Sequence, residues 1–219
     1  MPDELNLLSA VEARVLGCLM EKQRTTPDVY PLTLNALVQA CNQKTSREPV
    51  MQLSTGEVGH VVNTLRDRGL IHASFSGRTE RYDHKMASGY HLDRAEQALI
   101  ATLMLRGPQT TGELRTNAGR MAEFADLAAV ESALEGLAGR EPPLVIRLPR
   151  LPGQREERYA QLLCGPVEAA AAVPTPAARA SAPAETGRIA ELEAEVARLR
   201  AELDALWELT GLADRRPLR

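Results

Sequence analysis

The sequence predicts a mainly α fold with small β-hairpins, an α+β chain of two tandem winged-helix domains followed by a C-terminal amphipathic or coiled-coil helix. Three observations carry that expectation. An apolar pattern of helical period is closed by glycine and followed by two β-rich runs flanking a glycine turn. This punctuation occurs twice, at 54–84 and again at 127–163, and two shorter helical segments precede each copy. After the second copy the composition shifts to alanine and proline, and then to leucines spaced three and four apart. The boundaries read as 1–92 for the first domain, 93–165 for the second, 166–187 for a linker and 188–212 for the terminal helix.

The first helix opens at Ser9, where Glu12 follows at the spacing of a reciprocal cap, and Leu8, Val11, Val15 and Leu19 line one face. Thr25, Thr26 and Pro27 end it. Tyr30 and Pro31 lead to a second helix with Leu34, Leu37, Val38 and Cys41 as its apolar face. The third starts at Ser54 with Glu57, buries Val58, Val61, Val62 and Leu65, and stops at Gly69, suited to a left-handed cap. The runs 71–75 and 79–84 around Ser76, Gly77 and Arg78 form the first hairpin. In the second copy the helices begin near Asp93 and Thr111. The third buries Leu127, Val130, Leu134 and Leu137, and the runs 144–148 and 157–163 make the second hairpin.

Between Cys41 and Leu53 lies a loop dense in hydrogen-bonding groups, including Asn42, Lys44, Arg47 and Glu48. With Lys44 and Arg47 it reads as a surface for an acidic or phosphate partner. The competing reading makes Arg47 and Glu48, with Asn42 and Asn35, a network fixing the second helix against the third. The stretch from Glu12 to Lys22, the run Thr25 to Leu37, and Ala40 to Val50 together resemble the YceH-like family of bacterial proteins. The likeness is specific over 9–53 and consistent in layout to about residue 165. It implies a tandem winged-helix protein and carries no established biochemical role with it.

Stepping about 100° per residue along the third helix places His60, Asn63 and Asp67 opposite the apolar stripe, flanked by Arg66 and Arg68. With Arg78 and Arg81 of the first hairpin these form the candidate nucleic-acid-binding set, since Asn and His can read base edges and Arg can hold phosphate. In the second copy that face carries Ala128, Ala129, Ser132 and Gly136 beside Glu135, which suits close approach of another protein element better than entry into a major groove. Arg147, Arg150, Arg155 and Arg158 gather in the second hairpin as a candidate basic wing.

Net charge is −3, and no segment is basic. Residues 1–92 carry ten Lys and Arg against ten Asp and Glu, 93–165 nine against ten, and 166–219 seven against nine. A DNA surface must therefore be a local patch. Ile189, Leu192, Val196, Leu199, Leu203 and Leu206 fit a parallel two-stranded coiled coil, and hence a homodimer, or a helix folded back on its own domain.

Cys18, Cys41 and Cys164 form no paired motif, which fits a reducing cytoplasm and buried small apolar roles. The amino-terminal residues lack a signal-peptide pattern, and no apolar run is long enough to span a bilayer. His60, His72, His84 and His91 lack metal-ligand spacing, and phosphate-loop, dinucleotide and nucleophile-elbow motifs are absent, so no enzyme, metal or cofactor is expected. The expected function is a non-enzymatic, cytoplasmic, DNA-associated and regulatory protein binding double-stranded DNA. The rival is a protein-protein interaction adaptor.

Overall fold

A computed structural model of the chain describes residues 7–76, 79–150, 156–167 and 198. The order is α1 (Ala10–Thr25), α2 (Leu34–Cys41), α3 (Thr55–Asp67), the antiparallel pair β1 (Ile71–Ser76) and β2 (Thr79–His84), and the short α4 (Met86–Gly89). Then come α5 (Arg94–Arg106), α6 (Thr111–Ala118), α7 (Leu127–Ala138) and the antiparallel pair β3 (Val145–Leu148) and β4 (Arg158–Gln161). A 3₁₀ turn at Pro27–Val29 and the α4 turn, whose Met86 is buried, are too short for a periodic signal in sequence.

Capping residues set the starts. The Ser9 amide donates to Glu12 Oε2 at 2.7 Å and the Glu12 amide to Ser9 Oγ at 3.2 Å. Ser54 with Glu57, Asp93 with Glu96 and Thr110 with Glu113 repeat this exchange. At the end of α3, Gly69 takes φ 71°, the left-handed region where a Cβ is unfavourable.

The two halves repeat one another in detail. Leu32, just before α2, bridges Tyr82 of β2 through amide-to-carbonyl bonds of 3.2 and 2.8 Å. Gln109, just before α6, bridges Tyr159 of β4 in the same way at 3.0 and 2.7 Å. Each capping glutamate of the leading helix also reaches an arginine at the end of the third: Arg68 Nη1 lies 3.0 Å from Glu12, and Arg140 Nη2 lies 2.7 Å from Glu96.

Contacts divide the chain into two compact units, 1–172 and 173–219. Within 1–172 the halves share one apolar core, running from Val15, Leu19 and Leu65 through Leu99 and Leu103 to Val130 and Leu137. Every residue of α1 from Glu12 to Glu21 is buried, because α5 covers the side of the helix left open by α2 and α3. Gly17 permits that approach, since a Cβ there would sit 3.0 Å from Leu105 Cγ.

Two sequence expectations are corrected. Leu127 is 46% exposed, because it is the first residue of α7 and precedes the buried stripe of Val130, Leu134 and Leu137. Cys164 is also exposed, in the turn after β4, whereas Cys18 and Cys41 are buried. Of the unit 173–219 only Arg198 is described, in helical conformation. The linker beyond residue 167 and the heptad residues Ile189, Leu192, Val196, Leu199, Leu203 and Leu206 lie outside the described residues. Among the described residues no helix is long and apolar enough to cross a membrane.

Candidate interaction face

Helix α3 is held from beneath by Val58, Val62 and Leu65, all essentially inaccessible, so its opposite face is fixed in direction. His60 and Asn63 emerge there into solvent, and their side chains make no hydrogen bond among the described residues. Arg66 is exposed beside them and meets Glu80 of β2 at 3.5 Å. Glu57 and Asp67 are exposed on the same helix.

The remaining described members of the DNA set stand elsewhere. Arg68 is the C-cap residue of α3 and turns back to Glu12, tying the end of α3 to α1. Arg81 donates to the Pro31 carbonyl at 2.8 Å and the Val29 carbonyl at 3.4 Å, tying β2 to the segment between α1 and α2. Arg78 lies outside the described residues. Among the described members, then, the structure brings His60, Asn63 and Arg66 together and separates Arg68 and Arg81 from them.

An exposed residue that sequence patterning did not single out is Phe75, which is 75% exposed. Alternation puts it on the side of Ile71 and Ala73, but the hairpin projects beyond the core there. An aromatic residue at the tip of a two-residue-period run was the available signal.

The polar loop divides between the two readings given for it. Arg47 is 4% exposed and cannot meet an outside partner. Its Nη2 lies 2.6 Å from Glu21 Oε2 of α1 and its Nε donates to the Ala40 carbonyl at 3.1 Å, so it anchors α2 to α1 rather than to α3. Asn42 pairs with Leu53 in both directions, at 2.8 and 2.7 Å, and so does connect α2 to the start of α3. Glu48 exposes its side chain, while its amide donates to the Leu105 carbonyl at 2.8 Å. Lys44 and Asn35 are exposed. The α1 and α5 partners were illegible because Glu21 and Leu105 lie 26 and 57 positions away.

The described arginines of the second hairpin disperse. Arg147 is ion-paired with Glu157 across the hairpin, and Arg150 is exposed. Arg158 turns to the Pro108 carbonyl at 3.1 Å and to Glu113 at 3.8 Å. Arg155 lies outside the described residues. On α7, Ala128, Glu131, Ser132, Glu135 and Gly136 are exposed, as expected of a small and acidic face, whereas Ala129 is half-buried.

The neighbouring Cys18 thiol and burial push the Cys41 thiol upward, so it stays protonated. Among the described residues no three His, Cys, Asp or Glu side chains converge as a metal site.

Residues 8–154 match the family model described as "Protein of unknown function, DUF480". The chain is 51% identical over 211 residues to the UPF0502 protein mll4256 of Mesorhizobium japonicum, covering 94% of this chain and 99% of that one. It is 53% identical over 197 residues to the UPF0502 protein GSU0233 of Geobacter sulfurreducens, covering 88% and 90%, and 48% identical over 216 residues to a UPF0502 protein of Klebsiella pneumoniae, covering 93% and 98%. The likeness to YceH-like sequences is of a piece with these matches, and the chain belongs to the DUF480/UPF0502 family of bacterial proteins.

Proposed function

We propose that this is a non-enzymatic protein of two winged-helix units whose α3 and first hairpin form a face for a partner macromolecule, and that the partner is a protein. The observation that supports this reading is where the arginines go. Arg68 is spent on Glu12 and Arg81 on backbone carbonyls, leaving Arg66 as the one described cation of that set on the face. Arg66 is itself paired with Glu80, and Glu57 and Asp67 are exposed on the same helix, so the face carries carboxylates that would repel phosphates. The remainder, His60, Asn63 and exposed Phe75, is the mixture of polar rim and aromatic anchor that protein interfaces use. The small, acidic face of α7 supports the same kind of contact, and the unbridged cysteines accord with a cytoplasmic setting.

The second reading is duplex DNA, favoured by the outward, unbonded Asn63 and His60 on a third helix, where side chains of this kind meet base edges. One experiment separates the two. A photo-crosslinking residue at position 63 should yield adducts with protein that survive nuclease digestion, while duplex DNA should show no binding at low salt, where phosphate attraction is strongest. Salt-dependent duplex binding whose sequence preference changes in Asn63→Ala would overturn the protein reading in favour of DNA.

A further inference from the structure

Where α1, the 42–49 loop, α5 and α6 meet, a polar recess of about 70 Å³ is lined by Glu21, Thr25, Ser46, Arg106, Asn117 and Arg120, among others. It adjoins an outer groove of about 350 Å³ that shares Ser46, Arg106 and Asn117 and adds Glu48, Glu113 and Arg158.

The charges of the recess do not balance. Its only lining carboxylate, Glu21, is already held by Arg47 at 2.6 Å and approached by Lys22 at 3.6 Å. Arg106 donates to Ser46 Oγ at 2.7 Å and to no carboxylate, and Arg120 makes no hydrogen bond or ion pair among the described residues. Arg106 is held below its ordinary value by burial first; Glu21 opposes that, and Arg47 and Arg120 add repulsion. In the outer groove Arg158 lies 3.8 Å from Glu113, and Glu48 lines the same wall with Arg47 and Arg106, so carboxylates accompany the cations there, whereas Arg120 at the inner end has no carboxylate partner among the described residues.

The walls are built as well as charged. Ser46 is held at φ 60°, in the left-handed region that non-glycine residues seldom occupy, and Arg106 fixes its hydroxyl oxygen. The Ser46 hydroxyl hydrogen remains available to an acceptor. Asn117 is anchored by donating to Gln109 Oε1 at 2.6 Å.

We propose that this recess binds a small tetrahedral oxyanion of phosphate size, held by the Arg106 and Arg120 guanidinium groups and the Ser46 hydroxyl. Planar guanidinium forks match such oxygens, and the recess is too small for a nucleotide base or a peptide. The site is independent of the α3 face. Both arginines also lie at the carbonyl ends of α5 and α6, which gives them a stabilising role in the unliganded protein, so the test must read the ligand rather than stability alone.

The test is titration of the full chain with inorganic phosphate, with chloride at equal ionic strength as reference, followed by calorimetry and thermal unfolding. At ten times the dissociation constant the unfolding midpoint should rise by roughly 3–6 °C. Arg120→Gln, at an exposed position that folding tolerates, should weaken phosphate binding at least about tenfold, the loss of a charge-assisted bond. Lys85→Gln, on a separate part of the surface, should bind as the parent does. Equal shifts in phosphate and chloride, or unweakened binding by Arg120→Gln, would overturn the assignment.

Discussion

The Arg47 guanidinium closes on the Glu21 carboxylate with its own side chain fully enclosed, joining the 42–49 loop to α1 in the interior. The same loop reaches α5 through the Glu48 amide and through Ser46. A segment with the composition of a surface loop is thus part of what holds the two halves together.

Removing Arg47 leaves Glu21 buried without its counter-charge. Arg47→Met should cost about 3–5 kcal/mol in urea unfolding. Its pH dependence is equally specific. Burial raises the Glu21 carboxyl, but the Arg47 hydrogen bond and charge outweigh that and hold it below the usual range. Stability from this pair is therefore complete above the unfolded-state value of 4.5 and is lost as pH falls through the lower folded-state value. In Arg47→Met the carboxyl is raised instead, so this contribution should change sign and the stability deficit of the variant relative to the parent should shrink as pH falls.

His84 gives a second acid limb at higher pH. Burial lowers its pKa from 6.5 to about 4, with Asp83 opposing the shift. Its Nε2 lies 3.0 Å from Gln23 Oε1, and Nδ1 has no hydrogen-bond partner among the described residues. The unfolded chain binds the proton first, so stability should be full above pH 6.5 and fall by about 3 kcal/mol on the way to pH 4. His84→Gln should flatten unfolding free energy across that window.

Gly17 makes a steric prediction. In an exposed helix Gly→Ala stabilises by about 1 kcal/mol, but here the methyl meets Leu105 Cγ at 3.0 Å, Leu105 Cδ2 at 3.1 Å and Met104 Cβ at 3.2 Å. Gly17→Ala should be destabilising by about 1–3 kcal/mol in denaturant titration. Because the contact joins the halves, unfolding of 1–172 should remain one transition by every probe.

The paired ties Glu12 to Arg68 and Glu96 to Arg140 differ in strength. Arg140 Nη2 contacts both Glu96 oxygens at 2.7 Å and its guanidinium also serves the carbonyls of Tyr90 and His91. Glu96→Gln should cost about 2 kcal/mol by chemical denaturation, more than Glu12→Gln.

Helix starts were legible from local chemistry, since a cap needs only residues three apart, and Ser9, Ser54 and Asp93 sit where expected. The outward placement of His60, Asn63 and Arg66 followed from helical periodicity alone. The fates of Arg68, Arg81 and Arg158 did not, because a long side chain reaches whatever oxygen the fold brings near, and those oxygens belong to residues about 45 to 56 positions away.

By itself the sequence determined the repeated order of helices and hairpins, through caps, glycine stops and apolar spacing that act over single turns. Tertiary structure decided that the repeats share one core, and that most of the described candidate arginines have partners within the chain. The reason is that burial of α1 on all sides and neutralisation of each charge depend on distant surfaces, whose approach no local pattern encodes.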